Sequence, residues 1–66
     1  MKAYDCISLI KMFENIPFGT KGIILFQYDE TTFEVELFDD DGKTISICTI
    51  DISYIDNLTI YKSLCA

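Results

Sequence analysis

"FEVELFDDDGKTISI", Phe33–Ile47, is the stretch that decides how this chain folds. Phe33, Val35 and Leu37 alternate with Glu34 and Glu36, and a period of two puts the apolar set on one face of a strand and the acids on the other. Asp39, Asp40 and Asp41 then break the pattern, and Gly42 follows. Asp-Gly is among the strongest short hairpin signals, because a type I′ turn demands positive φ at both central positions, so such a turn is expected at Asp41-Gly42. The return run "TISICTI", Thr44–Ile50, pairs back in the register that this turn sets.

Three more apolar runs flank this hairpin, separated by turn signals at the intervals of an all-β fold. In "DCISLIK", Asp5 to Lys11, Ile7 and Leu9 share one face while Cys6 and Ile10 share the other. "MFENIPFGTKG" has Pro17 and Gly19 around Phe18, which makes it a structured loop; a helix over Leu9–Asn15 would be too short to stand alone. "GIILFQY", Gly22–Tyr28, is almost continuously apolar and reads as a central strand touching the core on both faces where it bends. "DETT", Asp29–Thr32, connects it to the acidic strand. "DISYIDNL" reads as a 3₁₀ turn leading into a short closing strand. Beyond it, "TIYKSLCA" supports either a longer strand or a helical turn joining Leu58, Tyr61 and Leu64.

Five short strands, most with one buried face, must hide their edges. In a single domain spanning residues 1–66, the economical answer is a small, strongly bent SH3-like barrel, with an OB-type barrel a poorer fit to so short a chain. Half of the residues are hydrophobic and nine are aromatic, which excludes intrinsic disorder.

The formal charge is −6, from eleven acids against five lysines, with neither arginine nor histidine. Nucleic-acid binding draws its affinity from cations at phosphates, so a protein of this charge is poorly equipped for it, and an electrostatic partner should be a basic protein. No run approaches the roughly 18 apolar residues of a membrane span, and "MKAYDC" lacks the apolar stretch of a secretion signal, so a soluble, cytoplasmic protein is expected. Cys6, Cys48 and Cys65 form an odd set without CxxC spacing and read as buried, reduced thiols.

The acidic tip invites four readings. As a calcium loop with Gly42 at the sixth position, it would place Leu37 first and Cys48 twelfth, where oxygen ligands are required, so no metal is expected. A glycosidase-like pair needs one carboxyl raised by apolar burial, whereas Asp39, Asp40 and Asp41 crowd a wet turn. No histidine exists to activate a cysteine or to act as general base. Catalytic residues and cofactors are therefore expected to be absent. Two readings stand: a solvated hairpin, or a contact surface in which Glu34, Glu36 and Phe38 share one strand face continuous with Asp39, Asp40 and Asp41. An aromatic anchor ringed by acids suits docking onto a cationic protein. Phe18 divides likewise, between capping the open end of the barrel and protruding as a contact residue.

The stretch Tyr4–Ile50 resembles the bacterial family catalogued as domain of unknown function forty-nine twenty-six. The matching elements are Tyr4-Asp5, Glu14 through Pro17, Gly19 with Gly22, Val35-Glu36-Leu37, and Asp41-Gly42. The resemblance implies an SH3-like barrel similar to the nitrile hydratase β-subunit and KOW-type domains, supplies no catalytic residues, and implies a place in toxin–antitoxin or toxin–immunity arrangements. With the charge, it makes a non-enzymatic immunity protein or antitoxin that neutralises a basic toxin or nuclease domain the leading expectation. The alternative is an accessory or homo-oligomeric subunit of a larger enzyme, suggested by the apolar residues of Leu58–Leu64. A KOW-like nucleic-acid reader is opposed by the missing arginines.

Overall fold

The alternating stretch at the centre of the sequence forms a hairpin at one side of a single antiparallel sheet. The computed structural model describes residues 2–57. The elements run β1 (Cys6–Leu9), β2 (Lys21–Gln27), β3 (Thr32–Phe38), β4 (Thr44–Asp51), a 3₁₀ turn (Ile52–Tyr54) and β5 (Ile55–Asn57). Hydrogen-bonded neighbours follow the order β4-β3-β2-β1-β5.

One face of this sheet carries the core. Ile7 and Leu9 of β1, Ile24 of β2, Phe33, Val35 and Leu37 of β3, Ile50 of β4 and Ile55 of β5 are all buried. Fully burying such side chains stabilises a fold by roughly 1.5–3 kcal/mol each. The register explains their alignment: Ile24 faces Val35, which faces Cys48, and Phe33 faces Ile50.

The sheet is open, which corrects the expected closed, strongly bent SH3-like barrel. Its edges, β4 and β5, lie at opposite ends of the strand order, and β5 is only three residues long among those described. The core is covered instead by the segment between β1 and β2. Phe13 and Ile16 exchange two backbone hydrogen bonds, of 3.0 and 2.8 Å, around a tight turn in which Glu14 takes a φ of 53°. Both pack on the core with Tyr54, whose ring meets Phe13 edge-on at 5.3 Å and lies under the Lys11 ammonium at 4.5 Å. The segment is a loop as expected, and the helix alternative over Leu9–Asn15 is not taken.

Two irregularities interrupt the ladder. In β2 the register steps from Ile24 to Phe26 while β3 steps from Val35 to Glu34, so Leu25 is an extra, bulged residue. Phe26 thereby faces outward, opposite Glu34. The near-continuous apolar run thus marks a bulge rather than a strand buried on both faces. In β4 the step from Ser46 to Thr44 leaves Ile45 bulged near the hairpin.

The acidic hairpin also differs from the I′ turn expected at Asp41-Gly42. The Gly42 amide donates to the Asp39 carbonyl at 3.0 Å, and the Asp39 amide to the Lys43 carbonyl at 2.8 Å. Gly42 has a φ of 82°, whereas Asp41 is not in the positive-φ region. This is the three-residue hairpin loop, a turn completed by a left-handed glycine, and it suits a longer connection than two residues. The expected 3₁₀ turn and closing strand are present. The two readings of Leu58–Leu64 lie outside the described residues.

Candidate functional site

At the hairpin end of the sheet, two loops enclose an open groove of about 460 Å³. Phe18 comes from the β1–β2 loop, Lys21 from the start of β2, and Phe38, Asp39, Asp40 and Ile45 from the β3–β4 hairpin. Of the seven candidate residues, the structure brings four together here: Phe18, Phe38, Asp39 and Asp40.

Each wall has a local cause. The turn Pro17–Thr20 is closed by the Thr20 hydroxyl and amide, both donating to the Pro17 carbonyl, at 2.8 and 3.3 Å. It is clamped to the end of β1 by Leu9, whose amide donates to the Thr20 carbonyl at 2.8 Å and whose carbonyl accepts from Gly19 at 2.9 Å. Gly19 has a φ of 88°, a conformation that other residues resist. Phe18 therefore stands out from a pinned turn and is 72% exposed, so it protrudes rather than capping the core.

On the other wall, Asp39 organises the hairpin. Its Oδ1 accepts from the amides of Asp41 and Lys43, both at 2.9 Å. Asp41 is thus part of the turn and does not line the groove, while the exposed Asp40 does. Phe38, half-buried at the end of β3, lies across from Lys21 in the ladder. Two carboxylates, one ammonium and two phenyl rings line the groove.

Glu34 and Glu36 sit elsewhere, half-buried on the outer face of the sheet. Glu34 accepts from the hydroxyls of Thr49 at 2.8 Å and Tyr28 at 3.2 Å, and Glu36 accepts from the Thr44 hydroxyl. Neighbouring side chains tether both carboxylates to the sheet. Around them the outer face exposes Phe26, Tyr28 and Ile47, with the first two rings edge-on at 5.0 Å. Sequence reasoning missed this apolar patch, since Phe26 reaches it only through the bulge at Leu25. It missed Lys21 and Ile45 as groove residues too, because only the docking of two loops joins them.

Burial, reinforced by the negative charges of Glu14 and Glu34, pushes the Cys48 thiol above its ordinary value, which keeps this free cysteine protonated and weakly nucleophilic. Cys6 is disulfide-bonded, which corrects the expectation of a reduced thiol there. Among the described residues, no three His, Cys, Asp or Glu side chains are grouped to hold a metal ion, and no helix is long and apolar enough to cross a membrane.

The family model described as Domain of unknown function (DUF4926) matches residues 4–56 of the 66. No curated protein and no solved structure matches the chain.

Proposed function

The chain belongs to that family, and we propose that it works by binding a basic protein rather than by catalysis, as an immunity protein or antitoxin that neutralises a cognate toxin. The observation that carries this reading is the groove, which presents Phe18 and Phe38 beside Asp39 and Asp40 on a chain of net charge −6. Aromatic rings supply contact area and attract cations through their faces, and carboxylates pair with lysine or arginine. The surrounding negative field speeds the approach of a basic partner and rejects an acidic one. Lys21, within the same groove, restricts where the partner's cation sits.

Co-expression with the product of the adjacent gene tests the proposal. Copurification, protection of the host from that product's toxicity, and loss of both on Asp40→Lys are expected. Failure to copurify, with no protection, removes the reading.

A second reading, an accessory or oligomerising subunit of a larger complex, is favoured by the exposed Phe26, Tyr28 and Ile47 on the outer face. A monomer that pulls down no enzyme subunit would count against it.

A further inference from the structure

Among the described residues, β4 has one hydrogen-bonded neighbour, β3, and its other side is a sheet edge. It runs for eight residues, whereas proteins commonly keep edge strands short to prevent pairing. It contains no proline and no charge before its last residue, Asp51. Ile47 faces outward opposite Glu36 and is 56% exposed. A bulge is one of the usual devices for blunting an edge, but this one lies at Ile45, near the hairpin, and leaves Ser46–Ile50 in regular register with β3. Such an edge offers its unpaired amides and carbonyls to another strand.

The charge pattern identifies that strand. Lys43 precedes β4 and Asp51 ends it, each four residues from Ile47, with no charge between them. A strand of this design is complementary to itself when reversed: a two-fold axis near Ile47 brings the lysine end of one copy to the aspartate end of the other, twice. We infer that β4 pairs antiparallel with β4 of a second copy, centred on Ile47, and joins two five-stranded sheets into one continuous sheet. Ile47 meets its counterpart on the outer face, and the uncharged Ser46, Cys48, Thr49 and Ile50 pass alongside. The contact is isologous, so it closes at two copies.

This pairing does not rest on the toxin-binding proposal, and salt separates the two. Each copy carries −6, and that net repulsion outweighs the two exposed lysine–aspartate contacts, so added salt, by screening it, strengthens association. Binding of a basic partner responds to salt in the opposite direction.

Sedimentation of the full chain over a range of protein and salt concentrations, combined with hydrogen exchange of the β4 amides, tests the inference. A dimer that tightens with salt is expected, with β4 amides exchanging more slowly at high protein concentration. Ile47→Lys, at a site exposed enough to leave the fold intact, sets like charges face to face and should raise the dissociation constant at least about tenfold. A monomer at every concentration overturns the inference. So does a dimer indifferent to Ile47→Lys, β4 exchange that ignores concentration, or protection of β4 only when a foreign peptide is added.

Discussion

Asp5 and Asn57 stand 52 residues apart in sequence and 3.1 Å apart in the fold, where the Asn57 side-chain amide donates to Asp5 Oδ2. The same oxygen accepts from the Lys2 amide at 3.0 Å, and the Asp5 carbonyl accepts from Ile24. Asp5 is only 7% exposed, the one buried charged residue among those described. It ties the start of the chain to the last described strand. Asp5→Ala removes the carboxylate that accepts both bonds and should destabilise the protein by about 1–3 kcal/mol in chemical denaturation. Asp5→Asn, which keeps an acceptor oxygen, should recover part of that loss. Equal loss in both variants would show that the carbonyl acceptor is not what matters.

Gly22 is fixed by crowding. A Cβ there would overlap the Glu36 carbonyl oxygen and approach Leu37 Cδ2 to 2.9 Å. That oxygen belongs to the backbone of β3, which is paired on both sides and cannot move aside. Gly22→Ala is expected to cost about 1–3 kcal/mol, with the loss read as a lower denaturation midpoint. Gly42 has open space around it but a φ of 82°, so Gly42→Ala should destabilise through backbone strain alone, by about 1 kcal/mol.

Phe18 separates binding from stability. Its ring is mostly exposed on a turn held by backbone bonds, so Phe18→Ala should change stability by no more than about 0.5 kcal/mol. The same substitution should weaken capture of the basic partner at least about tenfold, measured by calorimetry. Unchanged affinity would move the contact away from the groove.

Two exposed aspartates set a pH dependence. The Thr31 amide, donating to Asp29, holds that carboxyl below the usual 3.8. Hydrogen bonds from the Ser53 hydroxyl and amide do the same for Asp51. A carboxyl whose pKa is lower folded than unfolded stabilises the fold fully above the unfolded value and loses that effect as pH falls through the folded one. Stability should therefore drop on acidification below about pH 3.8, and the drop should shrink in Asp29→Asn with Asp51→Asn. Thermal melts across that range check it.

Much of the sheet is legible in the sequence because alternation is a local signal. Phe33, Val35 and Leu37 announce their common face, and Ile7 and Leu9 announce theirs. The 3₁₀ turn before β5 is legible in the segment that begins at Asp51. Openness was not, since closure depends on what lies over the core, and the cover comes from Phe13, Ile16 and Tyr54 folding back. The hairpin type escaped because Asp41-Gly42 fits two turns, and the Asp39 side chain, by accepting two amides, favours the longer one. Four of the nine groove residues, Phe18, Phe38, Asp39 and Asp40, are legible as contact candidates in the sequence. Their meeting was invisible, as it depends on Leu9 pinning a loop beside a distant hairpin.

The bulge at Leu25 makes the chain tolerant of a shorter length. Ile24 against Val35 and Phe26 against Glu34 are the pairs that an uninterrupted ladder would also make. Excising Leu25 would therefore leave every later residue of the hairpin pointing as it does now, removing a single half-buried side chain. At this point in β2, a one-residue deletion behaves like a truncation of a side chain, where in a regular stretch of ladder it would turn the residues beyond it to the opposite face.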